Sequence, residues 1–279
     1  MPRALHRLRR YPLAGFFVLA NAITWLCMLP MLLNPSQQRQ ILSVLPSLAV
    51  YGPLLAALVV SGVSEGLPGL RDLWRRSTKW RVGARWYAIV FFLPVAVNAL
   101  AVGLSLPFMG SWQNHLTAIG QLYDPILLLP GQLLTGGLEE PGWRGYALPK
   151  LEERLTPVRS SWILGALWAL WHLPFALARY ASPDTTTADL GFIAAVEIMG
   201  VARLLGWTFL FTWVYDNTES ALLTILLHAW INAVDTSVVS VFPYLLTGVL
   251  LNLLPCCIVV PFLITRAVRG QYRRDISTE

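Results

Sequence analysis

Apolar stretches of about 20 residues recur along the whole chain, and this feature restricts the fold more than any other. A helix needs about 20 mainly apolar residues to cross the hydrocarbon core of a bilayer. The alternating ten-residue segments typical of transmembrane barrels are not found in the sequence. The pattern therefore predicts an all-α, polytopic membrane protein with about eight transmembrane helices. We place them near residues 11–33, 41–62, 87–108, 119–138, 161–180, 190–213, 220–238 and 243–265.

The distribution of basic residues predicts the orientation of these helices. The net charge is +6, which could indicate a surface that binds nucleic acid. However, 18 of the 21 lysines and arginines fall in segments that the eight spans place on one side. These segments are the N-terminus, the 63–86 loop, residues 139–160 and the C-terminal tail. This asymmetry follows the positive-inside rule. It predicts that both termini are cytoplasmic, and we expect no nucleic-acid partner.

No linker, low-complexity stretch or clear repeat divides the chain, so residues 1–279 are predicted to form a single integral membrane domain. The longest polar connection, residues 64–86, alternates leucine and tryptophan with arginine. Two interpretations stay open for it. It is either a short amphipathic helix at the cytoplasmic interface, in contact with anionic lipid, or an ordinary basic loop.

A few polar residues stand inside or beside the apolar stretches. Glu139 and Glu140 end the fourth stretch, and His172 and His228 lie inside the fifth and seventh, where Asn232 follows His228 at helical spacing. Such residues cost free energy in a membrane unless they pair or face a polar cavity, and they mark functional sites by default. Because they come from three different stretches, we expect them to converge on one cavity.

The two glutamates are predicted to have different roles. Glu140 and Arg144 are four residues apart on a helix and can form an ion pair. Glu139 points about 100° away from Glu140, which leaves it available as a general base for a water molecule. The alternative for this pair is a solvated charge cluster at the membrane edge.

The histidines and Asn232 complete a set of groups suited to amide hydrolysis. Trp168 and His172 share one helical face, while His228 and Asn232 offer hydrogen-bond donors that can stabilise an oxyanion. Each has an alternative, a packed histidine in the first case and an interhelical hydrogen-bond pair in the second. Together with a carboxylate base, they favour hydrolysis through a tetrahedral intermediate.

These residues also form motifs that resemble a known family. The segment Glu139-Glu140-Pro-Gly-Trp-Arg144 is similar to the Glu-Glu-x-x-x-Arg motif of the CAAX-protease and bacteriocin-processing (CPBP) family of intramembrane proteases. Trp168-x-x-x-His172 and His228-x-x-x-Asn232 resemble its second and third motifs, in the expected order. Trp168 stands where a phenylalanine is common. The resemblance covers roughly residues 50–235.

The resemblance implies an eight-helix membrane fold with a cavity open to the cytoplasmic side, and the activity of an intramembrane endopeptidase. It implies that Glu139 and His172 activate water. It also implies that His228 and Asn232 stabilise the oxyanion, and that Glu140 together with Arg144 supports the site. The implied substrate is a membrane-anchored peptide or protein, lipidated in part of the family. A non-proteolytic membrane scaffold that retains the site, such as a bacteriocin-immunity or sensor-regulating protein, is the alternative.

The resemblance leaves the metal requirement open, because family names describe these enzymes as metalloproteases. A catalytic zinc usually has three protein ligands and a water molecule, and Glu139, His172 and His228 are the candidates. If Glu139 bound zinc, another base would be needed. A metal-independent mechanism with glutamate-activated water is therefore favoured over zinc. Two further residues, Glu197 and Arg203, lie in the sixth stretch without an assigned role, and Asp235 is expected to be hydrated near an outer end.

Overall fold

A computed structural model describes residues 3–33, 44–108, 124–180, 187–241, 245–259 and 261–263. The described residues form helices, short turns and no strand, which confirms the predicted all-α class. The α-helices are α1 (Arg3–Arg10), α2 (Pro12–Leu33), α3 (Val44–Ala49), α4 (Gly52–Ser64), α5 (Gly66–Ser77), α6 (Ala84–Ser105), α7 (Pro125–Leu134), α8 (Leu148–Glu152), α9 (Pro157–Tyr180), α10 (Thr187–Thr218), α11 (Ala221–Val241) and α12 (Leu245–Leu253). Three 3-10 helices (Leu106–Phe108, Gly136–Glu139, Leu254–Ile258) and one π-helical segment (Pro141–Ala147) complete the described structure.

Seven helical segments among the described residues are long and apolar enough to cross a membrane. They confirm a polytopic helical membrane protein and correspond to seven of the eight predicted stretches. These segments are Pro12–Leu33, Ser47–Ser64, Ala84–Phe108, Pro157–Ala178, Ala194–Thr218, Ala221–Ser240 and Leu246–Leu263.

The fourth predicted stretch, residues 119–138, differs from the prediction. Its first five residues lie outside the described part of the chain, and α7 has only ten residues. Ten helical residues span about 15 Å, about half of the hydrocarbon thickness. The chain then passes through the 3-10 turn and the π-helical segment before α8 begins. Gly136 and Gly137 are poor helix formers, and Pro141 cannot donate a backbone hydrogen bond, so a continuous helix is interrupted here.

The interrupted backbone is enclosed by other helices. Nearly every residue from Gly136 to Ala147 is buried, and a side chain at Gly142 would lie 2.4 Å from the carbonyl oxygen of Pro53 in α4. Irregular backbone at membrane depth is tolerated where protein surrounds it. Packing against α4, α5 and α11 therefore allows the chain to depart from a regular helix at this point.

The 64–86 connection contains a helix rather than only a loop. In α5, Gly69 and Leu73 are buried, while Trp74 is 71% exposed, as an amphipathic helix requires. Burial would raise the pKa of Asp72, but hydrogen bonds and charges from Arg75 and Arg76 outweigh it and hold that pKa below its usual value. This charge cluster lies on the helix that joins two membrane spans.

The basic segments predicted to be cytoplasmic meet at one end of the bundle. Polar contacts join the N-terminal helix to the end of α4, α8 to the α4–α5 junction, and the residues after α5 to the α10–α11 turn. The contacts are Arg9 Nε to Val63 O (2.9 Å), Lys150 Nζ to Glu65 Oε1 (2.9 Å) and Lys79 Nζ to Glu219 Oε2 (3.3 Å). The C-terminal tail and Arg39 lie outside the described residues.

Candidate active site

The predicted site residues meet where the interrupted segment, residues 136–147, packs against α9, α10 and α11. Glu139 ends the 3-10 turn and Glu140 follows it directly, while Arg144 lies in the π-helical segment. All three side chains are buried, with relative exposures of 3%, 0% and 0%. π-Helical turns are rare and frequently occur at functional sites. The irregular backbone thus carries the acidic motif into the interior.

Glu140 is the centre of a buried charge cluster. Arg144 Nη1 donates hydrogen bonds to Glu140 Oε1 at 2.9 Å and to Oε2 at 3.1 Å, so the predicted ion pair is present. His228 Nδ1 lies 2.9 Å from the same Oε1. Removing two charges from water costs several kcal/mol per ion unless geometry and hydrogen bonds compensate. Glu140 is therefore held by both the π-helical segment and α11.

The guanidinium of Arg144 contacts two aromatic rings and a hydroxyl group. Its Cζ lies 4.6 Å from the ring centroid of Trp168 and 4.3 Å from that of Phe211. Nη2 donates a longer hydrogen bond, 3.4 Å, to the hydroxyl of Thr208. Cation–π contacts of this kind are stronger when they are desolvated. Helices α9 and α10 thus hold the cation that neutralises Glu140.

Glu139 has a different partner from its neighbour. The indole Nε1 of Trp168 donates a hydrogen bond of 3.0 Å to Glu139 Oε2. The same ring packs edge-on against His172, with centroids 5.3 Å apart, and against His228 at 5.5 Å. A phenylalanine at this position would supply the aromatic wall without the donor. The tryptophan therefore orients a carboxylate as well as separating two histidines.

His228 and Asn232 direct their side chains to one point. Because His228 Nδ1 is engaged by Glu140, the other ring nitrogen, Nε2, faces the site. A methyl group added at Gly136 would lie 2.9 Å from His228 Nε2 and 2.4 Å from Asn232 Nδ2. Both nitrogens thus meet at the main chain of Gly136, in agreement with the expectation of two convergent polar groups.

His172 lies at the edge of this group. It is half-buried, and its Nδ1 lies 2.9 Å from the carbonyl oxygen of Trp168, one turn earlier in α9. Its ring also packs edge-on against Trp171, with centroids 4.8 Å apart. Trp168 contacts both residues, because its ring packs against His172 and its indole nitrogen donates to Glu139.

The residues proposed as zinc ligands do not fit a metal site. Within the described part of the chain, no three histidine, cysteine, aspartate or glutamate side chains are grouped closely enough to hold a metal ion. His228 directs Nδ1 to Glu140, and Glu139 Oε2 accepts from an indole. A catalytic zinc usually has about three such donors aimed at one point, a grouping that is not found among the described residues.

Three features of the site were not predicted from the sequence. They are the hydrogen bond between Glu140 and His228, the donor role of Trp168 and the close approach of Gly136. The glycine pair that precedes Glu139 was the one local signal available, since consecutive glycines suit a turn where other groups approach the backbone. The hydrogen bond joins residues 88 positions apart and leaves no local pattern.

Comparison with known proteins agrees with these motifs. Residues 121–234 match the family described as Rce1-like, type II CAAX prenyl endopeptidase. This segment is therefore similar to the type II CAAX prenyl endopeptidase family. It contains all three motifs, from Glu139 to Asn232. The match begins at residue 121, so it does not extend to residues 50–120, which the sequence resemblance also included.

A curated relative shows the same likeness. The chain is 31% identical over 153 residues to the CAAX prenyl protease 2 of Methanococcus maripaludis, which covers 52% of this chain and 53% of that protein. The chain thus spans about half the length of the curated relative that it matches.

The buried charge cluster predicts a large loss of stability on replacing Arg144. Arg144→Met leaves the Glu140 carboxylate buried without its cation, and breaking a buried pair from one side costs about 3–5 kcal/mol. We expect a clearly lower midpoint of thermal unfolding in detergent. The matched control is Arg75→Met. The Arg75 side chain is 73% exposed and pairs with Asp72 on the surface, and such pairs contribute less than about 1 kcal/mol. Equal midpoints for the two variants would contradict the assignment.

Proposed function

We propose that the protein is an intramembrane endopeptidase that hydrolyses a peptide bond of a membrane-associated substrate. The observation that carries this proposal is the division between two adjacent buried glutamates. Glu140 is neutralised by Arg144 and hydrogen-bonded to His228, whereas Glu139 accepts a hydrogen bond from an indole and keeps its carboxylate for chemistry. The Rce1-like domain supports a protease over the non-proteolytic scaffold considered as the alternative.

Glu139 is the general base in this mechanism. Trp168 orients its Oε2, and we assign Oε1 to the attacking water. The carboxylate takes a proton from that water as the oxygen attacks the scissile carbonyl carbon, and it later gives the proton to the leaving amine. His172, at the edge of the site, positions the water. No metal ion is needed for any of these steps.

His228 and Asn232 stabilise the tetrahedral intermediate. An ionised Glu140 can only accept hydrogen bonds, so Nδ1 of His228 is a donor, and Nε2 carries a proton only when the ring is an imidazolium. Nε2 and the Asn232 amide then donate to the developing oxyanion, which is the geometry expected of an oxyanion hole. Glu140 and Arg144 therefore act through His228.

The proposed substrate is a protein with a prenylated CAAX C-terminus. This choice rests on the name of the Methanococcus maripaludis relative, a CAAX prenyl protease, and on the Rce1-like domain. A lipid-modified tail lies in the bilayer, where the apolar outer surface of the helices also lies. We further propose that the end of the bundle with the basic segments is cytoplasmic, with both termini on that side, because the positive-inside rule places arginine-rich loops there.

The test measures cleavage by the purified full chain in liposomes. The probe is a fluorogenic peptide that ends in a farnesylated CAAX sequence, and mass spectrometry identifies the cut. Because general acid–base catalysis contributes roughly 10²–10⁴-fold, Glu139→Gln is expected to lower the rate by about that factor. Glu219→Gln, at a side chain that is 77% exposed, is the control and should cleave normally.

Two results would overturn parts of this proposal. Three probes are tried with the wild type: the farnesylated peptide, its unmodified counterpart and a membrane-anchored peptide. If none of them is cleaved, the scaffold alternative replaces the protease. If the Glu139→Gln variant turns over like the wild type, the protease stands but Glu139 is not its base.

A separate measurement tests the proposal that catalysis needs no metal. Protein that has been dialysed exhaustively against a chelator should cleave the peptide at an unchanged rate, because the residues of the site do not form a ligand set. Metal content is measured on the same sample by mass spectrometry. A rate that falls on chelation and returns with added zinc would show that the proposed water activation is wrong.

A further inference from the structure

A second cluster of polar residues lies within the membrane-crossing helices, separate from the glutamate pair. Asn98 Nδ2, from α6, donates a hydrogen bond of 2.7 Å to Asp235 Oδ1 in α11, and Arg203 of α10 forms an ion pair with Asp235 Oδ2. Asn98 and Asp235 are buried. The expectation that Asp235 is hydrated near a helix end is therefore wrong. Its three-helix environment was not visible in the sequence.

The three residues share one depth in the bundle. Asn98 lies 14 residues after the start of α6, Asp235 lies 14 residues after the start of α11, and Arg203 lies 15 residues before the end of α10. At 1.5 Å per residue each is about 21–23 Å from the basic end. Ionisable residues at such depth are rare, costly and functional by default. The cluster therefore requires an explanation beyond helix packing in general.

Asp235 shares a helix face with the donors of the candidate site. His228, Asn232 and Asp235 follow one another at i, i+4 and i+7 on α11, positions that lie on one side of a helix. His228 is held by Glu140 at one end of this row, and Asp235 is held by Asn98 and Arg203 at the other. Asn232 lies between these two anchors. Any rotation of α11 about its axis would move all three side chains together.

We propose that Asp235 is a positioning residue for the candidate active site. Its contacts with Asn98 and Arg203 fix the rotation of α11, so that His228 Nε2 and Asn232 Nδ2 face the main chain of Gly136. The close approach at Gly136 leaves little tolerance, since a single added methyl would lie 2.4 Å from the Asn232 amide. A misplacement of about 1 Å at a catalytic group can lower a rate about 10²-fold. The kinetic part of this inference rests on the proposed protease function.

The variants are Asp235→Asn, Arg203→Met and the double variant, each in the full chain. We expect kcat to fall by about 10- to 100-fold in each single variant with KM little changed. The double variant should be no worse than the single ones, because both act through one pair. Arg203→Lys keeps the positive charge and should retain most of kcat. Thr236→Ala is the control, on the exposed side of α11 next to Asp235, and should turn over normally.

A second measurement does not depend on activity. The imidazole ¹⁵N resonances of His228 are identified by their loss in His228→Ala. They should shift in Asp235→Asn and Arg203→Met, and stay in place in Thr236→Ala. If the wild type cleaves no peptide, the protease proposal fails, while these resonances still decide the positioning role.

Two outcomes would contradict a positioning role for Asp235. A folded Asp235→Asn variant with the kcat and His228 resonances of the wild type would overturn the proposal, and so would lower thermal stability with unchanged kcat per folded molecule. If Asp235→Asn does not fold, Asn98→Leu is used instead: it removes the hydrogen bonds of the Asn98 amide to Asp235 and to the Pro94 carbonyl, and leaves the Arg203–Asp235 ion pair in place. The same two measurements are made on it.

Discussion

The structure of the site depends on the hydrogen-bonded ion pair of Glu140, a carboxylate buried among the membrane helices. One cation, Arg144, and one imidazole, His228, share it, and they come from segments far apart in the chain. A charge in this position is tolerated only when it is paired, so the carboxylate ties the interrupted segment to α11. The same pairing leaves Glu139, its immediate neighbour, with an indole partner. Two identical side chains thereby have different hydrogen-bond partners.

A row of contacts along α11 connects this site to the rest of the bundle. His228 is fixed by Glu140 near the basic end, and Asp235 is fixed by Asn98 and Arg203 deeper in the bundle. Between these anchors, Asn232 meets the main chain of Gly136. The interrupted backbone is the other half of the same arrangement. Its glycines allow the close approach, and the surrounding helices supply the enclosure that irregular backbone needs at membrane depth.

The sequence predicted what depends on local pattern. Seven apolar stretches were confirmed because about 20 apolar residues are a strong and local signal, and the Glu140–Arg144 pair was predicted because its members lie one helical turn apart. The 119–138 stretch was predicted as a continuous helix, since hydropathy does not register the effect of Gly136 and Gly137 on backbone geometry. The contacts of Asp235 and of His228 could not be predicted. Each contact joins segments that are far apart in the sequence, and no local pattern determines how these segments pack together.

The most direct test compares the midpoints of thermal unfolding of Glu140→Gln and Glu139→Gln in the same detergent. Glu140→Gln leaves the Arg144 guanidinium buried without a counter-charge, so its midpoint is predicted to fall by several degrees (a loss of about 1 kcal/mol shifts a midpoint by roughly 2–4 °C in a chain of this size). Glu139→Gln keeps an acceptor for Trp168 and removes a charge from an apolar setting, so its midpoint is predicted to stay at or above that of the wild type. Equal losses in the two variants, or a larger loss in Glu139→Gln, would contradict the division of roles between the two glutamates.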